Sequence, residues 1–304
     1  ETEALADCRA RGHDPRGSTV YVTLEPCNHY GKQPPCAKAI IEAGIGRVVI
    51  ARADPNPIST GGADALRRAG VAVEFTDTSP LATHISDPFI KRITTGLPWV
   101  IAKWAQTPDG RLVTEPDAPR WISNAIARRR IHRLRARVDA IMTGMGTVLA
   151  DDPLLTARGV HVRRVATRVV LDSHLGIPDF CKLVQTAREV PVLICTLPDP
   201  SRVDSAHAAA LQAAGATLLT LESPNSDRLS IPMVLKHLAS KGAANILLEA
   251  GPRLLRSFLD QHMADELLIH IAPPTPTIPP EFAGYTLWRS RPLGGDLELR
   301  YRRA

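Results

Sequence analysis

TLEPCNHYGKQPPCAKAI, running from Thr23 to Ile40, is the stretch that decides how this chain is read. It follows Thr19-Val20-Tyr21-Val22, so a β-branched and aromatic run leads into it and predicts a strand over 19–24. A polar loop rich in Gly and Pro covers Glu25 to Pro35. Cys36 then opens a predicted helix carrying Ala37, Ile40, Ile41 and Ala43, which stops near Gly44. Each of Cys27 and Cys36 follows a proline, one at a strand end and one at a helix start. A thiolate at a helix N-terminus is favoured by the dipole and the unpaired N–H groups there. Two thiolates so placed form half of a tetrahedral zinc site, so Cys27 and Cys36 are the candidate metal ligands. Two cysteines nine apart also read as apolar fillers; the paired prolines and element ends favour the metal.

Outward from this loop, residues 2–10 predict a helix with Ala4, Leu5 and Cys8 on one face, the cysteine reading as core. Further strands are predicted over 47–51 and 71–74, with a helix at 63–69 between them. This alternation implies an α/β layer with a largely parallel sheet. A partly helical connector spans 78–97, and Pro98 marks the next domain. There Trp99–Ala105 predicts a strand, 123–137 a helix, and 139–143 and 167–172 strands. Alternation continues to about 272, a Pro-rich loop follows, and a strand pair near 285–302 closes the chain. The domain boundaries read as 1–85 and 98–304.

The 304 residues suit two domains, and 44% apolar content suits ordinary cores. No apolar run of about 18 residues exists, which argues against a membrane span, and no signal-peptide pattern is present. Five cysteines in so long a chain do not form a disulfide framework and point to the reducing cytoplasm. The net charge of +6 suits anionic ligands, but it is spread without a basic arm or an aromatic-interleaved stripe. Nucleic acid is therefore not the expected partner; a zinc-stabilised RNA-binding or RNA-editing module would leave residues 98–273 unexplained.

The TLEPCxHxGxxPPC pattern, followed by a helix and Val48-Val49-Ile50-Ala51 through Asp54-Pro55-Asn56-Pro57, resembles the deaminase domain of the bifunctional deaminase/reductase family of riboflavin biosynthesis. A second set of segments resembles that family's reductase domain. It comprises Lys103-Trp104-Ala105 through Gly110, Arg120-Trp121-Ile122-Ser123, His132 to Arg135, DAIMTGMGTVLADDPLLTAR at 139–158, Val169 to Ser173, LLEAGPRLLRSFL at 247–259 and ADELLIHIAP at 264–273. The resemblance implies an α/β fold class: an incomplete N-terminal cytidine-deaminase-like layer followed by a dihydrofolate-reductase-like domain. It implies Zn2+ and NADPH as cofactors, a phosphorylated pyrimidine as small-molecule substrate, and a homo-oligomer.

By the same resemblance Glu1 aligns with the catalytic proton-shuttling Glu, beside a metal-activated water. The histidine ligand of that segment, and the strands before it, would fall ahead of Glu1, so the chain reads as lacking the front of its deaminase domain. His29 as a substitute ligand is disfavoured; His29 and Lys32 read as substrate contacts, Lys32 equally as a solvated loop charge. The expectation is that reduction persists, while deamination is weak or lost unless that segment is restored. A reductase with a vestigial deaminase domain is the alternative.

In the second half, the resemblance assigns the nicotinamide cofactor to Ala105, Trp121, Thr147, Asp151, Ser173 and Gly251, Pro252, Arg253, Leu254, Leu255, Arg256 and Ser257. It assigns the substrate to Arg135, Leu155, Arg158 and Glu249. A physical reading stands beside it. Gly251 follows a strand and opens a helix, so its N–H groups suit a dinucleotide phosphate, and Arg253 and Arg256 favour NADP over NAD. The same segment reads as an ordinary strand–turn–helix corner, Gly144 and Gly146 as a weak phosphate loop, and Asp151 and Asp152 as a turn before Pro153. Two arginines match a ribose phosphate by their planar forks, with Arg135 as a surface helix charge the competing reading. Departures from the family pattern are Pro119 in place of a serine, Thr107-Pro108 before Asp109-Gly110, and a C-terminal loop without its Gly-rich stretch.

Overall fold

A computed structural model describes residues 1–31, 33–76, 79–112, 122–203, 205–223, 227–276 and 279–304. The chain divides into two compact units, Glu1–Gly96 and Leu97–Ala304.

The first unit runs α1 (Thr2–Ala10), β1 (Thr19–Val22), α2 (Cys36–Glu42), β2 (Arg47–Ile50), α3 (Gly62–Arg68), β3 (Ala72–Phe75), α4 (Pro80–His84) and α5 (Asp87–Thr95). Its three strands pair in parallel in the order β1-β2-β3. Leu5, Ala37, Ile40, Val48, Ile50, Ala63 and Leu66 form the core, so α1, α2 and α3 bury one face each against the sheet or one another. Gly96 ends α5 with φ +69°, the left-handed C-terminal stop that a glycine adopts without steric cost. The first strand is shorter than the sequence predicts: the ladder ends at Val22, before Pro26, which has no N–H to offer. Cys8, expected in the core, is half-buried and donates to the His13 carbonyl instead.

The second unit runs β4 (Trp99–Gln106), α6 (Ala125–Arg135), β5 (Ala140–Gly144), α7 (Met145–Asp151), β6 (Thr167–Leu171), α8 (Lys182–Gln185), β7 (Val192–Thr196), α9 (Pro200–Val203), α10 (Ala206–Ala213), β8 (Thr217–Thr220), α11 (Ile231–Ser240), β9 (Asn245–Glu249), α12 (Pro252–Asp260), β10 (Glu266–Ile271), β11 (Tyr285–Leu293) and β12 (Asp296–Arg303). Its nine-stranded sheet has the order β11-β12-β10-β4-β9-β5-β6-β7-β8. All pairings are parallel except those of β12 with β10 and β11. A parallel sheet covered on both faces demands unbroken apolar strands, which Val192–Thr196 and Asn245–Glu249 supply. Alternate residues serve opposite faces. Val100, Ala102, Val169, Ile246 and Leu248 pack on Val234, Leu235, Leu255 and Phe258 of α11 and α12. Ile101, Ile141, Val170 and Leu247 pack on Ile131, Val148, Leu183 and Leu211 of α6, α7, α8 and α10.

Asn124 caps α6 by accepting from the N–H groups of Ile126 and Ala127 at 2.9 and 3.0 Å. The segment Met145–Asp151, where Gly144 and Gly146 read as a weak phosphate loop, is helical. Among the described residues no helix is long and apolar enough to cross a membrane.

Candidate active sites

In the first unit, the turn after β1 is tied down by a buried carboxylate. Glu25 accepts from the backbone N–H groups of Asp54 (3.2 Å), Gly61 (3.2 Å) and Ala63 (2.9 Å). A Cβ at Gly62 would sit 1.7 Å from the Pro26 carbonyl oxygen, so that close approach requires glycine. The Asp54 carboxylate closes its own turn on the Ser59 hydroxyl at 2.6 Å. This frame delivers Cys27 to the N-terminus of α2, where its sulfur accepts from the Cys36 N–H at 3.4 Å. The Glu1 carboxylate reaches the Cys36 thiol as well. Burial, then the neighbouring Cys27 and Glu1, push that thiol up to about 12. Two thiols side by side at a helix start are a donor pair that suits a divalent cation. Cys27 and Cys36 thus fit as two zinc ligands, with Glu1 beside them. Among the described residues no group of three or more His, Cys, Asp or Glu is arranged to hold a metal. His29 is half-buried in the same loop, its Nδ1 without a hydrogen-bond partner. Lys32 lies outside the described residues.

In the second unit, the candidate residues gather at the C-terminal ends of β4, β9, β5 and β6, four neighbouring strands. Such strand ends form the crevice where open α/β sheets bind ligands. The β9 strand ends in Glu249, and Gly251, two positions on, is the N-cap of α12. The Gly251 N–H donates to the Thr147 hydroxyl of α7 at 3.0 Å. Neither α12 nor α7 has a side-chain cap, so two helix N-termini present free N–H groups side by side. Arg253 and Arg256 are exposed on α12. Pro252 starts that helix, and Leu254 packs close to Gly144. Leu255 points into the core and Ser257 bonds back to the Arg253 carbonyl, so neither side chain faces the helix N-terminus. Ala105 lies near the end of β4, Asp151 ends α7, and Ser173 follows β6, its hydroxyl accepting from the Leu229 N–H. Trp121, like Pro119, lies outside the described residues.

The four predicted substrate residues come together. Arg135 forms a forked pair with Glu249, Nε to Oε1 at 2.6 Å and Nη2 to Oε2 at 2.8 Å. Both side chains are 13% exposed, so Arg135 is no surface charge. Burial alone would raise the Glu249 carboxyl, but Arg135, helped by Lys103 and His132, brings it down to about 2. Arg135 also donates to the Thr156 carbonyl at 3.1 Å, and His132 Nδ1 lies 3.1 Å from the same oxygen. Arg158 donates to the Thr156 hydroxyl at 2.9 Å. Burial first, then Arg135, lowers the Arg158 guanidinium. Leu155 is buried between them in the loop, with φ +50°.

Sequence reasoning missed three residues here. Lys103 is aligned with Glu249 across the β4–β9 ladder. Burial pushes its ammonium down, Glu249 opposing and Arg135 adding to the shift. His132 clamps the loop, its ring lowered by burial and then by Arg135 and Arg158. Arg168 is fully buried on β6. A charge inside an otherwise apolar strand was the available signal for Lys103 and Arg168 alike.

The two units therefore define an α/β protein with a paired-cysteine loop in one and a crevice of uncapped helix starts beside an Arg–Glu pair in the other. Comparisons with known proteins make this specific. Residues 98–275 match the RibD C-terminal domain, and residues 1–52 match the cytidine and deoxycytidylate deaminase zinc-binding region. The riboflavin biosynthesis protein RibD of Aquifex aeolicus is 37% identical over 86% of this chain and 71% of its own length. The RibD of Escherichia coli is 34% identical over 87% of this chain and 73% of its own. A Thermotoga maritima structure, described as a diaminohydroxyphosphoribosylaminopyrimidine deaminase/5-amino-6-(5-phosphoribosylamino)uracil reductase, aligns with TM-score 0.78 and 27% identity. It covers 99% of this chain and 83% of the other. Acinetobacter baumannii RibD aligns with TM-score 0.77 and 29% identity, covering 98% and 84%. The chain belongs to the RibD family of bifunctional deaminase/reductases in riboflavin biosynthesis. Its first unit is cytidine-deaminase-like and its second carries the dihydrofolate-reductase-like reductase fold. The matched domains imply Zn2+ and NADPH.

Proposed function

We propose that residues 1–85 form the deaminase domain and 98–304 the reductase domain, and that the second reduces a phosphoribosylamino-pyrimidine to its ribitylamino form. One observation carries this reading: a single strand end, Glu249 to Gly251, holds the Arg135 pair and the uncapped start of α12 two residues apart. Sugar phosphate and dinucleotide phosphate are thereby drawn to adjoining sites. Arg135 and Arg158 bind the substrate phosphate through charge-assisted forks. Glu249 keeps Arg135 oriented and accepts from a sugar hydroxyl. Gly251, Thr147 and the first turn of α12 hold the cofactor pyrophosphate, and Arg253 and Arg256 select the additional phosphate of NADPH. Ala105, Trp121, Asp151 and Ser173 complete that site.

NADPH, when bound, supplies the hydride that reaches the sugar C1. As the bond from C1 to the ring oxygen opens, that oxygen takes a proton, and Lys103 is the half-buried acid aligned with Glu249 to give it. Hydride delivery depends mainly on orientation, which the Arg135–Glu249 fork supplies. In the first unit, Cys27 and Cys36 would hold zinc, whose chemistry there would be to activate a water; Glu1 is placed to carry a proton to the departing amine, and His29 and Lys32 to contact substrate.

Five free cysteines support a reducing, cytoplasmic setting. Family likeness supports a homo-oligomer acting on a small phosphorylated pyrimidine, with neither nucleic acid nor membrane as partner. The test is NADPH oxidation at 340 nm by the full chain with 5-amino-6-(5-phosphoribosylamino)uracil, alongside ammonia release from the diaminopyrimidine precursor. Turnover dependent on both ligands is expected in the first assay, and its absence overturns the reductase reading.

A further inference from the structure

The segment from Asp152 to Arg158 adopts an unusual path. Two non-glycine residues in it have positive φ, Asp152 at +40° and Leu155 at +50°. L side chains pay steric energy for this conformation, roughly 1–2 kcal/mol per residue, and it persists only where neighbours over-determine it. Ties to the segment come from three directions. Lys182 donates its backbone N–H to the Asp152 carboxylate at 2.8 Å. His132 and Arg135 hold the Thr156 carbonyl. The third tie comes from below, out of the sheet: Arg168 Nη1 donates to the Leu154 carbonyl at 3.2 Å, immediately before Leu155.

Arg168 is 0% exposed. Among the described residues no carboxylate pairs with it. Its other bonds go to the Thr186 hydroxyl (2.7 Å), the Thr186 carbonyl (3.0 Å) and the Val190 carbonyl (2.6 Å), while Nε finds no partner. Burial lowers this guanidinium to about 10, still charged at neutral pH. A buried, unpaired charge is costly, and four acceptors offset only part of that cost. The carbonyls of Thr186, the C-cap of α8, and of Val190 in the turn after it account for one half of the fork. They do not require the Leu154 contact, which a shorter side chain at position 168 would omit.

We propose that Arg168 is a positioning residue for the phosphorylated substrate. By fixing the Leu154 carbonyl it presets Leu155 and Arg158 in their binding conformation before substrate arrives. This rests on the reading of Leu155 and Arg158 as substrate contacts.

The test uses the full chain and three variants. Arg168→Lys keeps the charge but has one point donor and cannot span Leu154 and Val190 together. It should raise KM for the phosphorylated substrate about tenfold, with kcat within about twofold and NADPH affinity unchanged. Thr186→Val removes the second acceptor of Nη1 but leaves its bond to the Leu154 carbonyl, and should leave KM within about twofold. Arg168→Lys without a KM change overturns the proposal. So does an equal rise in Thr186→Val, or an equal loss of NADPH affinity, since either marks a general structural tie. Arg158→Ala must raise KM for the underlying reading to hold. If it does not, that reading falls and the proposal with it, whereas a KM rise in Arg158→Ala but not in Arg168→Lys overturns the proposal alone. Should Arg168→Lys not fold, hydrogen exchange on the wild-type chain decides. Peptides over 152–158 should be protected without substrate and change little on its addition; protection that appears only with substrate overturns the proposal.

Discussion

Glu249 carries a clear pH signature. Its carboxyl stands at about 2 against an ordinary value of 4.5, because Arg135 outweighs the burial that would raise it. A depressed carboxylate contributes stability that is fully present above the unfolded value and disappears as pH falls through the folded one. The window is therefore pH 4.5 down to 2, and the contribution is on the order of 3 kcal/mol. Glu298, also brought down to about 2, by His270 and Arg130 against burial, acts in the same window. Denaturant titrations should show wild-type stability falling across it, and Glu249→Gln should flatten roughly half of that fall while lowering stability at pH 7. An unchanged slope would mean that the Arg135 fork does not form. The thiols make a second prediction at this scale. Cys27→Ser and Cys36→Ser should each lower zinc bound by the purified chain to background, with NADPH affinity unaltered, as metal analysis and fluorescence titration would report. Zinc retained at wild-type stoichiometry by both variants would place the metal elsewhere.

Two open helix starts make the proposed cofactor crevice, and Gly251 stands at their junction. Gly251 has φ −69° and ψ 172°, which alanine adopts freely, and an added Cβ would lie 3.7 Å from the Thr147 hydroxyl, an ordinary contact. Gly251→Ala should therefore fold with its melting temperature within about 2 °C of wild type. The methyl would occupy the space above the N–H groups of α12, weakening NADPH binding about tenfold, roughly 1.4 kcal/mol. A large fall in melting temperature, or undiminished affinity, would place the pyrophosphate elsewhere. This element was readable in advance, since Gly251-Pro252 after an apolar strand is a strand–turn–helix signal of its own. So were most strands, because sheets buried on both faces demand unbroken apolar runs. Met145–Asp151 was not readable: Gly146 in its first turn opposes a helix by propensity, and Val148 buried against Ile141 and Val170 overrides it. Nor was the clamp on Thr156. His132, Arg168 and Lys103 act through backbone carbonyls and burial, and one-dimensional spacing does not reveal which carbonyl a distant arginine will meet.

Each unit has its own core: the Leu5–Ile40–Leu66 cluster in the first, and two clusters flanking the nine-stranded sheet in the second. Every candidate cofactor and reductase-substrate residue belongs to the second unit, and both thiols, Glu1 and His29 to the first. On the proposed reading, the reductase chemistry rests on residues of the second unit. A domain with its own core and its own site should fold alone. The larger unit, with 208 residues from Leu97 to Ala304, is well above the size at which burial becomes marginal. A fragment 97–304 should unfold cooperatively and bind NADPH within about twofold of the full chain, read by fluorescence titration. Reduction should follow the same pattern at saturating substrate, with kcat retained. If the fragment folds but loses NADPH affinity more than tenfold, residues before Leu97 take part in the reductase site, and the division of labour drawn from Glu249, Gly251 and Arg135 fails. If it keeps affinity while Cys27→Ser abolishes zinc in the full chain, the two chemistries are separable within one polypeptide, each resting on its own sheet.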